Sequence, residues 1–251
     1  MDLLSFPPLA ATLDAAYALL MGLADLLQPV AGAASAALAV IVLTLLVRAM
    51  LIPTGVAQAK AEQTRARLAP KLREIRRRFT NDRERMSRET VKLYADEKAS
   101  PFAGCAPVLV QAPIVGIVYA LFLCPVIAGH PNALLTEELL GVPLGTSLAG
   151  SILGGAATGE VALVFGVVVT LILAVADLTR RLLRPATGSA DAAPGGEALI
   201  RMAGFLQFGT AVVALFVPLA AALYLLVTVS WTLVQRLMLR RRFPIEVGVR
   251  E

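Results

Sequence analysis

LAVIVLTLLVRAMLIP, Leu38–Pro53, is the stretch on which the reading of this chain turns. It lies in an apolar run long enough to cross a bilayer as a helix, and it carries one arginine, Arg48. An ionised side chain inside a span is costly and is tolerated where it faces a protein interior or a wet cavity. Arg48 stands nine residues before Ala57, where the apolar run ends. At about 1.5 Å per residue that is roughly 14 Å, a long reach for a side chain snorkelling to headgroups. A functional arginine and a snorkelling one both remain open from this stretch alone.

Composition places the whole chain in the membrane class. Its 251 residues are 57% hydrophobic with a mean hydropathy of +0.74, beyond what ordinary soluble domains carry. The two cysteines, Cys105 and Cys124, are expected on one helix about 28 Å apart by helical rise, too far for a disulfide. With one histidine, His130, they have no metal-ligating company, so no metal site and no cofactor is expected. No GxSxG, HExxH, Walker A or CxxC pattern occurs, and conventional catalysis is not expected.

Outward from Arg48, residues 1–33 place Leu13, Tyr17, Leu20, Leu23 and Leu27 at helical spacing, interrupted by Asp14 and Asp25. This pattern predicts an amphipathic helix at the membrane interface. No basic start or A-x-A cleavage pattern marks a signal peptide. A first span covers 34–57. Segment 58–103 then holds thirteen Lys/Arg against seven Asp/Glu. Leu68, Leu72, Ile75 and Phe79 mark one helix face there, with Pro70 expected to bend or restart the helix. Asn81 with Glu84 reads as an N-cap and its N3 partner for a second helix, Asp82 to Lys98, with Met86, Thr90, Leu93 and Tyr94 inward. The pair is a charged hairpin outside the bilayer, its basic surface suited to anionic lipid. Contact with ribosomal RNA is conceivable, but nothing specifies a nucleic-acid sequence.

Further spans are expected at 104–127, 160–178, 199–217 and 218–239. They are separated by loops at 128–159 and 179–198 and followed by a tail at 240–251. With 58–103 in the cytoplasm, every Lys and Arg except Arg48 lies on that side or at its membrane edge. Segments 1–33 and 127–160 carry Asp and Glu only. The positive-inside rule then gives five spans in a cell membrane, N-terminus outside and C-terminus inside.

Three blocks carry a family resemblance. They are TLLVRAMLIP (Thr44–Pro53), LAPKLREIRRRFTNDRERMSRETVKLYADEKASPFAGCAPVLVQAPIVGIVYALF (Leu68–Phe122) and PLAAALYLLVTVSWTLVQR (Pro218–Arg236). Together they resemble membrane protein insertases of the YidC/Oxa1/Alb3 type. Pro101, Gly104, Cys105, Pro107, Gln111, Pro113 and Tyr119 fall where that family's hairpin-and-span signature puts them. Departures are Ala103 for the first glycine of Gly-Gly-Cys, Val229 for a frequent asparagine, and no proline near Gln207. A large periplasmic domain is absent from the sequence, as in the family's short forms, and the basic tail is brief.

The resemblance implies an all-α integral membrane protein. Five transmembrane helices would surround a hydrophilic groove, beside a cytoplasmic helical hairpin and an N-terminal interfacial amphipathic helix. It implies a substrate-contacting groove of Arg48, Thr44, Gln111, Tyr224, Thr228 and Thr232. A slide for the substrate's apolar helix would comprise Cys105, Pro107, Ala112, Pro113, Phe205 and Phe208. The implied partners are nascent membrane proteins, the Sec translocon, the ribosome and anionic lipids, for a protein acting as a monomer without nucleotide hydrolysis. From the residues themselves, Thr44 lines a groove or bonds its own backbone, Gln111 lines a groove or bonds a neighbouring helix, and Trp231 is a groove residue or an interfacial anchor. Two other classes stay open: a channel or transporter with Arg48 as an anion site and Asp177 as a second charge, and a membrane-anchored scaffold.

Overall fold

The computed structural model describes residues 7–97, 99, 106–183 and 208–242; within these, the side chains of 65, 106–112, 114 and 242 are not described. The described residues form helices α1 (Pro7–Ala31), α2 (Ser35–Met50), α3 (Ile52–Arg78), α4 (Arg83–Asp96), α5 (Ala106–Leu123), α6 (Leu148–Leu153), α7 (Gly159–Leu182), α8 (208–216) and α9 (Leu219–Arg242). Between α5 and α6 lie two two-residue antiparallel ladders, β1 (Val126–Ile127) with β2 (His130–Pro131) and β3 (Glu138–Leu139) with β4 (Val142–Pro143). Among the described residues, three stretches are long and apolar enough to cross a membrane: Pro7–Met50, Gly159–Leu182 and Leu219–Arg241.

α9 is the hub: α2, α3, α5 and α7 all pack against it. Leu219, Ala220, Ala221 and Ala222 are fully buried at its start, facing a core that includes Ala36, Ala37, Ala39 and Val40 of α2. Small side chains let helix backbones approach closely, which is how helices associate where lipid removes the hydrophobic drive between them. α1 turns back through Gly32, whose φ of 53° suits a residue without Cβ, and buries Leu13, Leu20 and Ala24 in the same core. Helix α8 ends at 216, and α9 begins immediately after Pro218. The first α9 amides are not orphaned: Leu219 N–H donates to the Thr146 carbonyl (2.9 Å) and Ala220 N–H to that of Leu144 (3.0 Å).

The charged segment is a helical hairpin, and two details of it depart from expectation. Helix α3 does not restart at Pro70 but runs unbroken from Ile52 to Arg78. Pro70 is itself exposed, and its missing N–H removes one i to i−4 bond without ending the helix. The cap of α4 is Asp82 rather than Asn81: its carboxylate accepts from Arg85 N–H at 3.0 Å. A charged cap gains from the helix dipole as well as from the hydrogen bond. Leu68, between Arg67 and Lys71 in sequence, is fully buried. At the hairpin's open end Arg67 (3.2 Å) and Lys71 both reach Glu97. The Lys71 hydrogen bond, reinforced by its charge, holds the Glu97 carboxyl below the ordinary 4.5. Cys124 lies one residue beyond α5 instead of on it, half-buried and free; Cys105 lies outside the described residues.

The segment after α5 is folded onto the helix ends. Buried Asn132 donates from its amide to the carbonyls of Leu121 (2.8 Å) and Cys124 (2.9 Å), closing the C-terminus of α5. His130 Nε2 lies 2.8 Å from Asp14 Oδ1, its ring 5.1 Å from that of Tyr17, and Tyr17 Oη accepts from Ala133 N–H at 3.0 Å. These contacts latch the β1–β2 segment to α1. The hydrogen bond to Asp14, followed by that to the Pro131 carbonyl, raises the His130 pKa above its ordinary 6.5. A folded-state pKa above the unfolded one means the stabilisation is complete below 6.5 and is lost as pH rises through the raised value. A histidine NMR titration should therefore give a pKa above 6.5 that falls back in Asp14→Asn, and the β1–β2 amides should exchange faster above that pKa only when Asp14 is present. A titration unchanged by Asp14→Asn would refute the latch.

Candidate functional site: the α2–α9 wall

Arg48 sits in the last turn of α2, half-buried, and makes no ion pair among the described residues. Thr44, one turn earlier on the same face, is only 1% exposed, and its hydroxyl donates to the Val40 carbonyl at 2.6 Å. Of the two readings of Thr44, the backbone bond is the one formed; i to i−4 bonding is the usual resort of a threonine in an apolar helix.

On α9, which packs against α2, the polar residues recur every three or four positions. Tyr224 is buried, its ring tilted 48° and 5.8 Å from the ring of Phe122 on α5. Thr232 is half-buried, and its hydroxyl donates to the Thr228 carbonyl at 2.8 Å. Thr228 Oγ1 is enclosed and has no hydrogen-bond partner among the described residues. An enclosed hydroxyl left unpaired is costly. Trp231 Nε1 donates to Gln235 Oε1 at 3.2 Å, so the indole is tied to its own helix.

Gln235 in turn fills the notch left by Gly55 on α3; a Cβ built at residue 55 would overlap the Gln235 amide. This contact joins the base of the charged hairpin to α9. Reading the sequence did not reveal it, and the only cue was a lone glycine just after Pro53. Of the remaining residues singled out from the sequence, Gln111, Ala112 and Pro107 lie on α5 with side chains outside the description. Pro113 is exposed within that helix, Phe208 is half-buried at the start of α8, and Cys105 and Phe205 lie outside the described residues. Asp177, the other charge considered within a span, is engaged by Arg181 one turn on, at 2.6 Å, at the end of α7.

A mostly helical bundle with long apolar helices, a half-buried cation at the end of one of them and a basic hairpin beyond defines a polytopic membrane protein with a polar feature built into its apolar layer. Residues 26–246 match the family described as 60Kd inner membrane protein. The chain belongs to that family, the YidC/Oxa1 family. Curated relatives include the protein called membrane protein insertase YidC in Pasteurella multocida strain Pm70, 48% identical over 86 residues. The proteins of the same name in Actinobacillus succinogenes and in Histophilus somni strain 2336 are 46% identical over 86 residues. Each match covers 34% of this chain and 16% of the relative, so the similarity spans about one sixth of the length of the relatives it matches.

Proposed function

We propose that this protein is a membrane protein insertase of the cell membrane, and the observation that carries the proposal is Arg48 at the end of an apolar helix without a counter-charge among the described residues. In this reading residues 34–57, 104–127, 160–178, 199–217 and 218–239 are the five spans, α1 lies along the outer interface, and the N-terminus is outside and the C-terminus inside. The absence of Lys and Arg from 1–33 and 127–160 supports that orientation. Arg48, with Gln111, Thr228 and Thr232, provides the polar side of a groove open to the cytoplasm. Thr44 and Tyr224, both buried, form the wall behind it. Cys105, Pro107, Ala112, Pro113, Phe205 and Phe208 form the apolar path beside it.

The mechanism follows from solvation. Two unit charges about 4 Å apart attract by about 1 kcal/mol in water and about 4 kcal/mol at an effective dielectric of about 20. A cation in a semi-enclosed groove therefore draws an acidic tail that hydrocarbon would refuse. The tail's backbone groups meet water in the groove, which removes most of the cost of unpaired polar groups in lipid. Once the tail has moved, burial of the substrate's apolar helix in lipid, at about 25 cal/mol per Å², drives release without nucleotide hydrolysis. The substrates are nascent membrane proteins with short tails. The ribosome, the Sec translocon and anionic lipid against the basic hairpin are the supporting partners, and the working unit is a monomer. A transporter with paired intramembrane charges is disfavoured by the engagement of Asp177 with Arg181.

The test is reconstitution. Purified protein in liposomes without nucleotide should protect the N-terminal tail of a single-span substrate with an acidic tail from external protease; empty liposomes should do so several-fold less. Equal protection in both would reject the insertase reading.

A further inference from the structure

The β3–β4 hairpin turns through Leu140 and Gly141, with φ of 54° and 78°. Two successive left-handed residues make the tight turn that Asn-Gly or Asp-Gly ordinarily occupies. Leucine is poorly suited to that conformation, because its Cβ crowds the following carbonyl. Nothing in the described fold offsets the strain, since Leu140 is 71% exposed. Gly141 fits for a local reason: a Cβ there would approach the Glu160 carboxylate to 3.2 Å.

Beside this tip lies an open cavity of about 440 Å³, lined by Leu140, Thr158, Gly159, Glu160, Leu163 and Val164. Its lower wall continues into the exposed apolar face of α7, Leu163, Val167 and Leu171. Helix α6, which packs against α7, leaves Ile152 and Leu153 exposed, the latter at 88%. The aliphatic residues that the fold leaves bare at this end of the molecule thus adjoin the start of an apolar span. Segment 126–160 contains no Lys or Arg.

We propose that the 138–155 segment is a membrane-interface anchor. Leu140 and Leu153 dip into the leaflet at the N-terminal end of α7, and a lipid acyl chain fills the cavity between Leu140, Leu163 and Val164. The strain at Leu140 is then offset by burial in hydrocarbon, and Thr158 and Glu160 mark the level at which headgroups begin. Continuity with the apolar face of α7 selects lipid over a protein partner. The choice of the outer leaflet rests on the orientation proposed above, but insertion of the tip does not depend on insertase activity.

The chain has one tryptophan, so fluorescence reports a single site once Trp231 is replaced by Phe. In that background, Leu140→Trp and, as a second reporter, Leu153→Trp are placed in the full-length protein in phosphatidylcholine vesicles. Ala128→Trp is the reference, because Ala128 also sits at a hairpin tip with a left-handed φ of 47°. Lipids brominated on the acyl chain should quench the Leu140 and Leu153 reporters at least twofold more than the Ala128 reporter, and acrylamide should do the reverse. Adding Leu140→Asn, which suits the turn but not the lipid, should lower bromolipid quenching at 153 while leaving helical content unchanged. Equal acrylamide access at all three sites would overturn the proposal, as would shielding that appears only at high protein-to-lipid ratio, which would assign the surface to a second copy of the chain.

Discussion

Arg48→Ala should lower tail translocation of an acidic-tailed substrate by about tenfold or more in the liposome assay. A factor of ten corresponds to about 1.4 kcal/mol on the barrier, less than the roughly 3 kcal/mol by which a charge pair about 4 Å apart gains on moving from water to an effective dielectric of about 20. Arg48→Lys should keep most of the activity, because the proposed mechanism needs the positive charge and not the bidentate geometry of a guanidinium. Substrates with neutral tails should lose little, since the attraction vanishes with its partner. These three comparisons separate attraction from collapse of the fold. Arg48 is half-buried and holds no internal ion pair among the described residues, so its removal leaves no unpaired carboxylate behind. Equal translocation by the alanine variant would take Arg48 out of the mechanism and leave the scaffold reading ahead.

Phe122→Ala should be the most damaging single change to the fold. The ring is fully buried, and it packs at 5.8 Å and a tilt of 48° on Tyr224, joining α5 to the hub helix. Removing a buried phenylalanine costs roughly 3 to 5 kcal/mol through lost contacts and the cavity left behind. The lower end, about 3 kcal/mol, is expected here, because lipid supplies no hydrophobic drive between helices and only packing is lost. Unfolding in mixed micelles of increasing SDS fraction measures this directly. Phe122→Leu, which fills most of the volume, should cost well under half as much, and a change below about 1 kcal/mol for the alanine variant would show that α5 and α9 are held together elsewhere.

Hydropathy alone marks the runs that hold α2, α7 and α9, because length and the scarcity of charges suffice to identify a helix compatible with a bilayer. Of the hairpin helices, α3 was legible from the spacing of Leu68, Leu72, Ile75 and Phe79 and α4 from that of Met86, Thr90, Leu93 and Tyr94. Their details were not: a proline on an exposed turn does not end a helix, and an aspartate outcompetes the asparagine beside it as a cap. Arg48 announced itself, since a cation within an apolar run is rare enough to read from composition.

What pairs with what lay beyond the sequence. His130 looked inert as a lone histidine, because its partner Asp14 is 116 residues away, and only the closing of the 126–133 segment over α1 brings them together. Nothing local marked Asn132 as the cap of α5 or Gly55 as the notch for Gln235, since both depend on backbones that meet through long-range packing. The order of apolar and charged segments along the chain established a basic, mostly helical protein with stretches long and apolar enough to cross a membrane and a cation in the first of them. Tertiary packing decided that Thr44 is covered, that Thr228 keeps an enclosed hydroxyl unpaired among the described residues, and that Leu140 is held exposed in a turn that does not suit it. Periodicity names the face of a helix, but which atoms share that face is settled by the neighbour that covers it.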